Sequence, residues 1–326
     1  MPGRPDDQHT NETTPSDRRQ PPSARTKAPT EPRQSRPSKP GRRTVIGAAV
    51  AAGVGGLAWG AARLTGTDLG ELSDRIGSGV GDLVDEAQDR APRVARPQST
   101  PRPLAEMTYF TRFAGARLYY EIDGRPSRFA MEPEFARQLE ASFRSHWQAA
   151  GWSEPARLTS YGTWIDGEGR SPSWHHEGRA FDIGRVVAVD GETLVNCRYD
   201  LWRSLSGAAR ATAERAYWRL AATLHRDFAF VLTYLYDDAH HNHIHVDNGL
   251  SGAERSSFRS GMRMQVRDVQ AMCRHVWGEP VDVTGSWDTS TRRATEAVLD
   301  RSGVGGRLTS GDEHWHAFLH ATARGG

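Results

Sequence analysis

Two short stretches rich in histidine and carboxylate constrain the fold of this chain most strongly. The first reads Ser-Trp-His-His-Glu-Gly-Arg-Ala-Phe-Asp over residues 173–182, and the second reads His-His-Asn-His-Ile-His-Val-Asp over residues 240–247. Neutral imidazole and carboxylate are usual ligands of a catalytic zinc, which keeps three protein ligands and one open position. A fold that builds one such centre from both stretches must bring them together across the intervening chain.

The spacing within each stretch favours such a centre. His175 and Asp182 are seven residues apart, and the small glycine and alanine between them allow the chain to fold tightly, so that both side chains can reach one point. Residues two apart in an extended segment project from the same face. His243 and His245 would then share a face, where one binds a metal and the other faces a substrate. The alternative for either stretch alone is a solvated loop or an adventitious metal binder.

Length, charge and cysteine content narrow the class of protein. The chain has 326 residues and a formal net charge of +2, which leaves room for more than one domain and shows no basic footprint for nucleic acid. We therefore expect no nucleic-acid partner. The two cysteines, Cys197 and Cys273, fit no thiolate zinc motif, so we expect any metal to be held by His, Asp or Glu. In an exported protein they could pair as a disulfide, and their spacing leaves both states open.

The first part of the chain has the composition of a tail followed by an export element. Residues 1–43 are rich in Pro, Ser, Thr and Arg, so we expect them to be disordered. Arg42 and Arg43 directly precede a mildly apolar run, which resembles a twin-arginine export signal. We predict that residues 44–63 are an export signal or a membrane anchor, with anchoring through 44–62; the alternative is a buried helix rich in Ala and Gly. A signal or an anchor makes the protein extracytoplasmic, either secreted or membrane-anchored.

Residues 64–103 are predicted to form a stalk helix and a Pro-rich linker. Apolar residues recur at helical spacing between positions 69 and 87, although glycines weaken this helix. Residues 92–103 contain four prolines and no apolar periodicity, which is typical of a semi-rigid linker. We expect the folded part to begin near Leu104.

The folded part is predicted to be α+β, with a small antiparallel sheet and flanking helices that carry a zinc site, followed by a small helical C-terminal unit. Apolar residues at every third or fourth position predict helices, and short aromatic or β-branched runs predict strands. We assign residues 104–258 to the first domain and 259–326 to the helical unit. The predicted helices are 132–151 and 208–225, and the predicted strands are 158–164, 181–189 and 228–236.

The two histidine stretches together resemble a known family. Residues 173–182 follow the pattern Ser-x-His-x-x-Gly-x-Ala-x-Asp, and residues 243–245 read His-x-His. This combination resembles the zinc D-alanyl-D-alanine metallopeptidases, a superfamily of wall carboxypeptidases, D,D-dipeptidases, phage L-alanyl-D-glutamate endolysins and the bacterial extensin-like C-terminal domain. The resemblance covers roughly residues 104–258, and the string from 161 to 184 is most similar to the extensin-like branch.

The resemblance implies a role for each member of the motif. It implies a zinc ion held by His175, Asp182 and His245. It places His243 beside the metal, where the side chain would polarise the substrate or stabilise the tetrahedral intermediate.

One position departs from the family pattern. The family commonly has Asp or Glu three residues before the last ligand, as the general base, whereas this chain has Asn242. An amide takes no proton at neutral pH, so another group must serve as the base, or the site does not turn over. The remaining candidates for the base are Asp238, His240, Asp237 and Glu177.

The helical unit permits two interpretations. Apolar residues at 266, 269, 273 and 276 predict one helix, residues 281–287 a turn, and residues 289–299 a second helix. The segment is similar to a small helical peptidoglycan-binding module. The alternative is a helical extension that packs on the first domain.

Together these features predict an extracytoplasmic zinc-dependent peptidase that acts on peptidoglycan stem peptides, as a carboxypeptidase or an endopeptidase. Its expected partners are peptidoglycan or those stem peptides. The alternative is a non-hydrolytic wall-binding protein that retains the metal site.

Overall fold

The structure is a computed structural model, and it describes residues 99–153, 155–168 and 173–325. The predictions for residues 1–43 and 44–63, and most of the prediction for 64–103, lie outside the described residues. Within the described part, no helix combines the length and the apolar character that a membrane crossing requires.

The described residues form an α+β fold, as the sequence predicts. Its helices are α1 (Pro133–Ala150), α2 (Tyr199–Trp202), α3 (Gly207–Asp227), α4 (Arg263–His275), α5 (Thr289–Arg301) and α6 (Asp312–Arg324). Its strands are β1 (Thr108–Phe110), β2 (Arg112–Phe113), β3 (Ala116–Tyr120), β4 (Phe129–Met131), β5 (Arg157–Gly162), β6 (Ala180–Val187), β7 (Thr193–Asn196), β8 (Phe230–Leu232) and β9 (Ile244–Asp247). Short 3-10 turns include Trp174–Glu177 and Asp238–His240.

The main sheet is mixed rather than purely antiparallel, which corrects one part of the prediction. Its strand order is β2-β3-β5-β6-β9-β8, with β7 also paired to β6. Strands β3 and β5 run parallel, whereas the other pairs are antiparallel. The physical reason is the crossover through α1, since a long helix between two strands returns the chain to the edge from which it started.

Helix α1 shows how local sequence sets an element of this fold. The Glu132 carboxylate accepts a hydrogen bond from Phe135 N at 2.7 Å and caps the first turn, and Pro133 occupies the first helical position. Gly151 ends the helix in the left-handed region, with φ +71°. The predicted helix at 132–151 is confirmed. Its buried face packs against the sheet through aromatic and aliphatic side chains, namely Phe135, Leu139, Phe143 and Trp147.

The strand predicted over 228–236 is much shorter in the structure. Only Phe230–Leu232 pairs with β9, because the chain turns immediately afterwards, with Tyr236 N donating to Thr233 O at 3.0 Å. Tyr234 lies outside the strand but is still packed. Its ring stacks on that of Tyr199, with the centroids 4.1 Å apart. The predicted burial holds only in part, since Phe228, Val231 and Leu232 are buried and Phe230, Tyr234 and Tyr236 are half-buried. The predicted strand length is wrong.

The C-terminal helices share the core of the sheet domain. A buried polar network joins them: Asp268 on α4 accepts from Thr233 at 2.8 Å and lies 2.8 Å from His225 Nε2 on α3. Trp315 on α6 donates to Ser256 Oγ at 2.7 Å. The hydrophobic core runs without interruption from the sheet to α6. Helix α6 was not predicted from the sequence.

The two cysteines do not form a disulfide in this fold. Cys197 and Cys273 are both fully buried and free. Burial raises the pKa of both thiols far above the ordinary range, which keeps them as inert thiols.

Candidate metal centre

The turn that carries His175 depends on the small residues of the first stretch. Trp174–Glu177 forms a 3-10 turn, which we call the histidine turn, and Gly178 ends it with φ +68°. A Cβ on Gly178 would lie 2.3 Å from Met107 Sδ and 2.9 Å from Glu132 N. Only glycine therefore fits where the chain reverses into β6. The tight fold that the spacing predicted is present.

The two stretches meet through the pairing of β6 with β9. Asp182 on β6 lies directly opposite His245 on β9 in this antiparallel pair. Side chains directly opposite one another on the same face of a sheet lie close together. His243 precedes the first residue of β9, and the histidine turn places His175 over the same face. The fold thus brings together the three ligands that the resemblance implies.

Three donor atoms converge at this point. His245 Nδ1 lies 2.8 Å from Asp182 Oδ1, His175 Nε2 lies 3.3 Å from the same oxygen, and the two ring nitrogens are 3.3 Å apart. Ligands at about 2.0–2.1 Å from a tetrahedral zinc stand roughly 3.3 Å from one another. The three residues can therefore hold a metal ion with little rearrangement.

Each ring ligand is oriented by a partner on its far side. His175 Nδ1 lies 2.6 Å from Thr163 O, which leaves Nε2 toward the centre. His245 Nε2 lies 3.1 Å from Asp247 Oδ2, which leaves Nδ1 toward the centre. Asp247 is fully buried. Such outer partners fix the tautomer and the ring orientation of metal-binding histidines. The sequence did not predict that Asp247 would orient His245, although Asp247 lies in the second stretch. It did not predict that Thr163 would orient His175.

The centre opens into a pocket of about 200 Å³. His243 reaches into it, with Nε2 3.5 Å from Asp182 Oδ1. Asn242 Oδ1 lies 2.6 Å from His243 Nδ1 and orients this ring. Asn242 therefore has a positioning contact at the place where the family carries a base. The pocket is lined by Ser173, His175, Asp182, Leu232, Tyr236, His240, His243 and His245.

The structure separates the candidates for the general base. His240 lines the pocket, its ring centroid lies 6.0 Å from that of His245, and its Nδ1 lies 2.6 Å from Asp237 Oδ1. Asp238 does not reach the pocket, because its side chain is 100% exposed and lies 3.4 Å from His241 Nε2. The predicted site residues therefore come together with the exception of Asp238.

Glu177, the remaining candidate, does not line the pocket. Its Oε1 accepts a hydrogen bond from Thr100 N at 2.7 Å, and its side chain is only 10% exposed. This carboxylate is thus engaged with the start of the described chain.

Beside the pocket lies a charged cluster that the sequence did not reveal. Tyr161 lies where the register of β5 against β6 shifts, and its ring centroid lies 5.9 Å from that of His243. The other members of the cluster surround the buried carboxylate of Glu121. Its Oε1 lies 2.8 Å from Arg185 Nη2 and 3.4 Å from Arg198 Nη1. The members of this cluster come from four separate segments, so no local spacing could have predicted it.

The electrostatics of the centre suit a cation. Burial would raise the pKa of Asp182, but the charges of His175 and His243 and hydrogen bonds from His175 and His245 hold it well below the ordinary range. Burial lowers the pKa of His243. Burial would also lower the pKa of His245, but its hydrogen bonds to Asp182 and Asp247 raise it. Asp182 is therefore an ionised oxygen donor at neutral pH.

Comparison with known proteins adds nothing to this geometry. No protein-family model matches the chain, no curated protein matches it, and no solved structure matches it. The metal centre rests on the strand register and the donor distances, and the resemblance to the zinc metallopeptidases stays a prediction.

Proposed function

We propose that this protein is an extracytoplasmic zinc-dependent peptidase that acts on peptidoglycan stem peptides, as a carboxypeptidase or an endopeptidase. The observation that carries the proposal is the convergence of His175, Asp182 and His245 in the lining of an open pocket. Two imidazole nitrogens and one carboxylate oxygen form a donor set that suits zinc and leaves an open position. The family resemblance supports the substrate class.

The residues around the ligands support hydrolysis. When bound, zinc supplies Lewis acidity, which polarises a carbonyl group and lowers the pKa of a water molecule. His243 faces the same space as the ligands and is oriented by Asn242. We assign it the role of polarising the substrate carbonyl.

We assign the general base to His240, with Asp237 as its positioning residue. Asp237 Oδ1 lies 2.6 Å from His240 Nδ1, which makes Nε2 the basic nitrogen of the ring. A base that is oriented by a carboxylate is a recurring arrangement in hydrolases. This pair supplies the proton acceptor that Asn242 cannot be.

The test is the hydrolysis of defined muropeptides by the purified full chain. We expect zinc-loaded wild type to release a peptide fragment or a terminal amino acid. A chelator should abolish this release, added zinc should restore it, and His175→Ala should show none. Release that is insensitive to the chelator would contradict a zinc peptidase. Saturable muropeptide binding by zinc-loaded protein without any release would instead support the second candidate.

That second candidate is a wall-binding protein that retains the metal centre and does not turn over. The observation in its favour is Asn242, which stands where the family carries its catalytic carboxylate. Both candidates predict bound zinc, so only product formation distinguishes them.

A further inference from the structure

The side chain of Arg179 links the chain that follows the histidine turn to the residue that follows β9, beside the backbone bond from Asn248 N to Arg179 O at 3.3 Å. Arg179 donates from Nε to Asn248 Oδ1 at 3.0 Å and from Nη2 to Asn248 O at 2.6 Å. Asn248 directly follows β9, three residues after His245. On its other side, Arg179 Nη1 lies 3.6 Å from Glu177 Oε2, two residues after His175. Arg179 therefore joins the two segments that present the ring ligands.

This arginine is held in a packed setting. Its guanidinium lies 5.6 Å from the centroid of the Trp174 ring. Trp174 in turn fills the space where a Cβ on Gly249 would stand. The side chain of Arg179 is 23% exposed, and that of Glu177 is 10% exposed. Charge-assisted contacts in such a setting are stronger than neutral ones and hold a defined geometry.

A strap from the start of the described chain reaches the same carboxylate. We call residues 99–102 the strap. Thr100 N donates to Glu177 Oε1 at 2.7 Å, and Arg102 N donates to His176 O at 2.9 Å. One carboxylate oxygen of Glu177 thus bonds to the strap, while the other faces the arginine.

We propose that Glu177 and Arg179 form a clamp that positions the metal ligands, and that the strap, by holding Glu177, sets how tightly the centre binds its ion. This inference rests on the metal centre proposed above. The clamp keeps His175 and His245 at binding separation before the ion arrives. Neither clamp residue lines the pocket, so both act through the ligands. Loss of a partner that bonds directly to a ligand typically weakens metal affinity by about 10–100-fold. The clamp residues act one contact further out, so loss of the clamp should cost about 10-fold, the lower end of that range.

The test measures the zinc dissociation constant of full-chain variants by competition with a chromogenic chelator. Arg179→Met should bind zinc about 10-fold more weakly than wild type, the lower end of the range for partners that bond directly to a ligand. Arg179→Lys should recover part of the affinity, because lysine keeps the charge and loses the planar fork that reaches two acceptors on Asn248.

The strap is tested separately. Thr100→Pro removes the N–H that bonds to Glu177, in a segment that already contains Pro101 and Pro103. We expect weaker zinc binding by this variant as well. Glu177→Gln keeps an acceptor for Thr100 N and loses the charge that faces Arg179, so its loss of affinity should be smaller than that of Glu177→Ala.

A matched control separates positioning from general destabilisation. Arg219→Met also removes a partly buried arginine, one that bonds to Ala323 O at 2.9 Å and joins α3 to α6. It should lower the thermal midpoint of unfolding of the metal-free protein and leave zinc affinity unchanged. Equal affinity losses in Arg219→Met and Arg179→Met would overturn the clamp.

Two further outcomes are distinguishable. Wild type that binds zinc, together with unchanged affinity in Arg179→Met and Thr100→Pro, overturns the clamp alone. Wild type that binds no zinc overturns the metal centre and the clamp together. If Arg179→Met does not fold, Arg179→Lys and Thr100→Pro decide the matter, since each is a smaller change.

Discussion

At the scale of single residues, Asp182 is the residue of the metal centre that contacts all three of the neighbouring histidines. One of its oxygens lies 2.8, 3.3 and 3.5 Å from ring nitrogens of His245, His175 and His243. These four residues were predicted because the two motifs that hold them resemble those of the zinc metallopeptidases. The sequence could not predict the groups that orient these side chains, such as Thr163 O. Every residue has a backbone carbonyl, so its use as a hydrogen-bond partner cannot be recognised from residue type.

Replacing Asp182 with Asn should abolish tight zinc binding. The change keeps the shape of the side chain and removes its charge, which is the anionic ligand of the set. We expect zinc affinity to fall by more than about 100-fold, the upper end of the effect of outer partners. The measurement is a zinc titration, with Asp190→Asn in the exposed turn after β6 as the control. Equal affinities in both variants would refute the assignment of Asp182.

Replacing His240 with Asn should lower turnover and spare metal binding. A general base typically contributes about 10²–10⁴-fold in rate, and His240 lines the pocket. Asp237→Asn should lower the rate less, because it weakens the contact that orients the His240 ring and leaves the ring itself in place. Asp238→Asn is the matched control and should have no effect, since that side chain is fully exposed. A His240→Asn variant with the wild-type rate would show that another group takes the proton.

At the scale of elements, periodicity predicted α1, α3, α4 and α5, missed α2 and α6, and predicted the sheet only in part. Helix α1 was predictable because its apolar residues recur within one local segment. The pairing of β6 with β9 joins residues that are 63 positions apart, namely Asp182 and His245. Register over that distance is decided by the packed core and not by local pattern. The length of β8 was overestimated for a related reason, since Thr233 begins a turn that aromatic content does not reveal.

The reversal after the histidine turn should be sensitive to any side chain at Gly178. Gly178→Ala combines a left-handed backbone, φ +68°, with a Cβ 2.3 Å from Met107 Sδ. We expect a loss of roughly 1–3 kcal/mol in unfolding free energy, measured by urea denaturation. Gly191→Ala is the control: it has φ +93° and nothing within 4 Å of its Cβ, so it should lose less. Equal losses would mean that the contact with Met107 does not matter.

At the scale of the whole molecule, buried polar groups join the helices to one another and to the sheet. His146 on α1 is fully buried and lies 2.8 Å from Thr223 Oγ1 on α3. Burial, with the charges of Arg219 and Arg226, lowers its pKa to about 3 from the ordinary 6.5. The sequence placed this histidine on a helix and gave no sign of its burial, because its burial depends on how α3 packs against α1.

The free energy of unfolding should decrease as the solution becomes more acidic, because His146 is buried in its neutral form. Below pH 6.5 the unfolded chain takes up a proton at this residue, and the folded chain does not until the pH approaches about 3. The free energy of unfolding should therefore decrease as pH falls through this window, by up to about 1.4 kcal/mol per pH unit from this one group. His146→Leu should show a shallower dependence in urea denaturation between pH 6 and pH 4. Identical slopes would exclude this histidine as a cause.

The most direct test of the metal centre is X-ray absorption at the zinc edge on the purified full chain, with metal content measured on the same sample. We predict one zinc ion per chain, with nitrogen and oxygen ligands at about 2.0–2.2 Å and the multiple-scattering pattern of imidazole. The same measurement on His175→Ala and His245→Ala should show lost occupancy. No bound zinc, or sulfur ligands at about 2.3 Å from the two cysteines, would contradict a centre built from His175, Asp182 and His245.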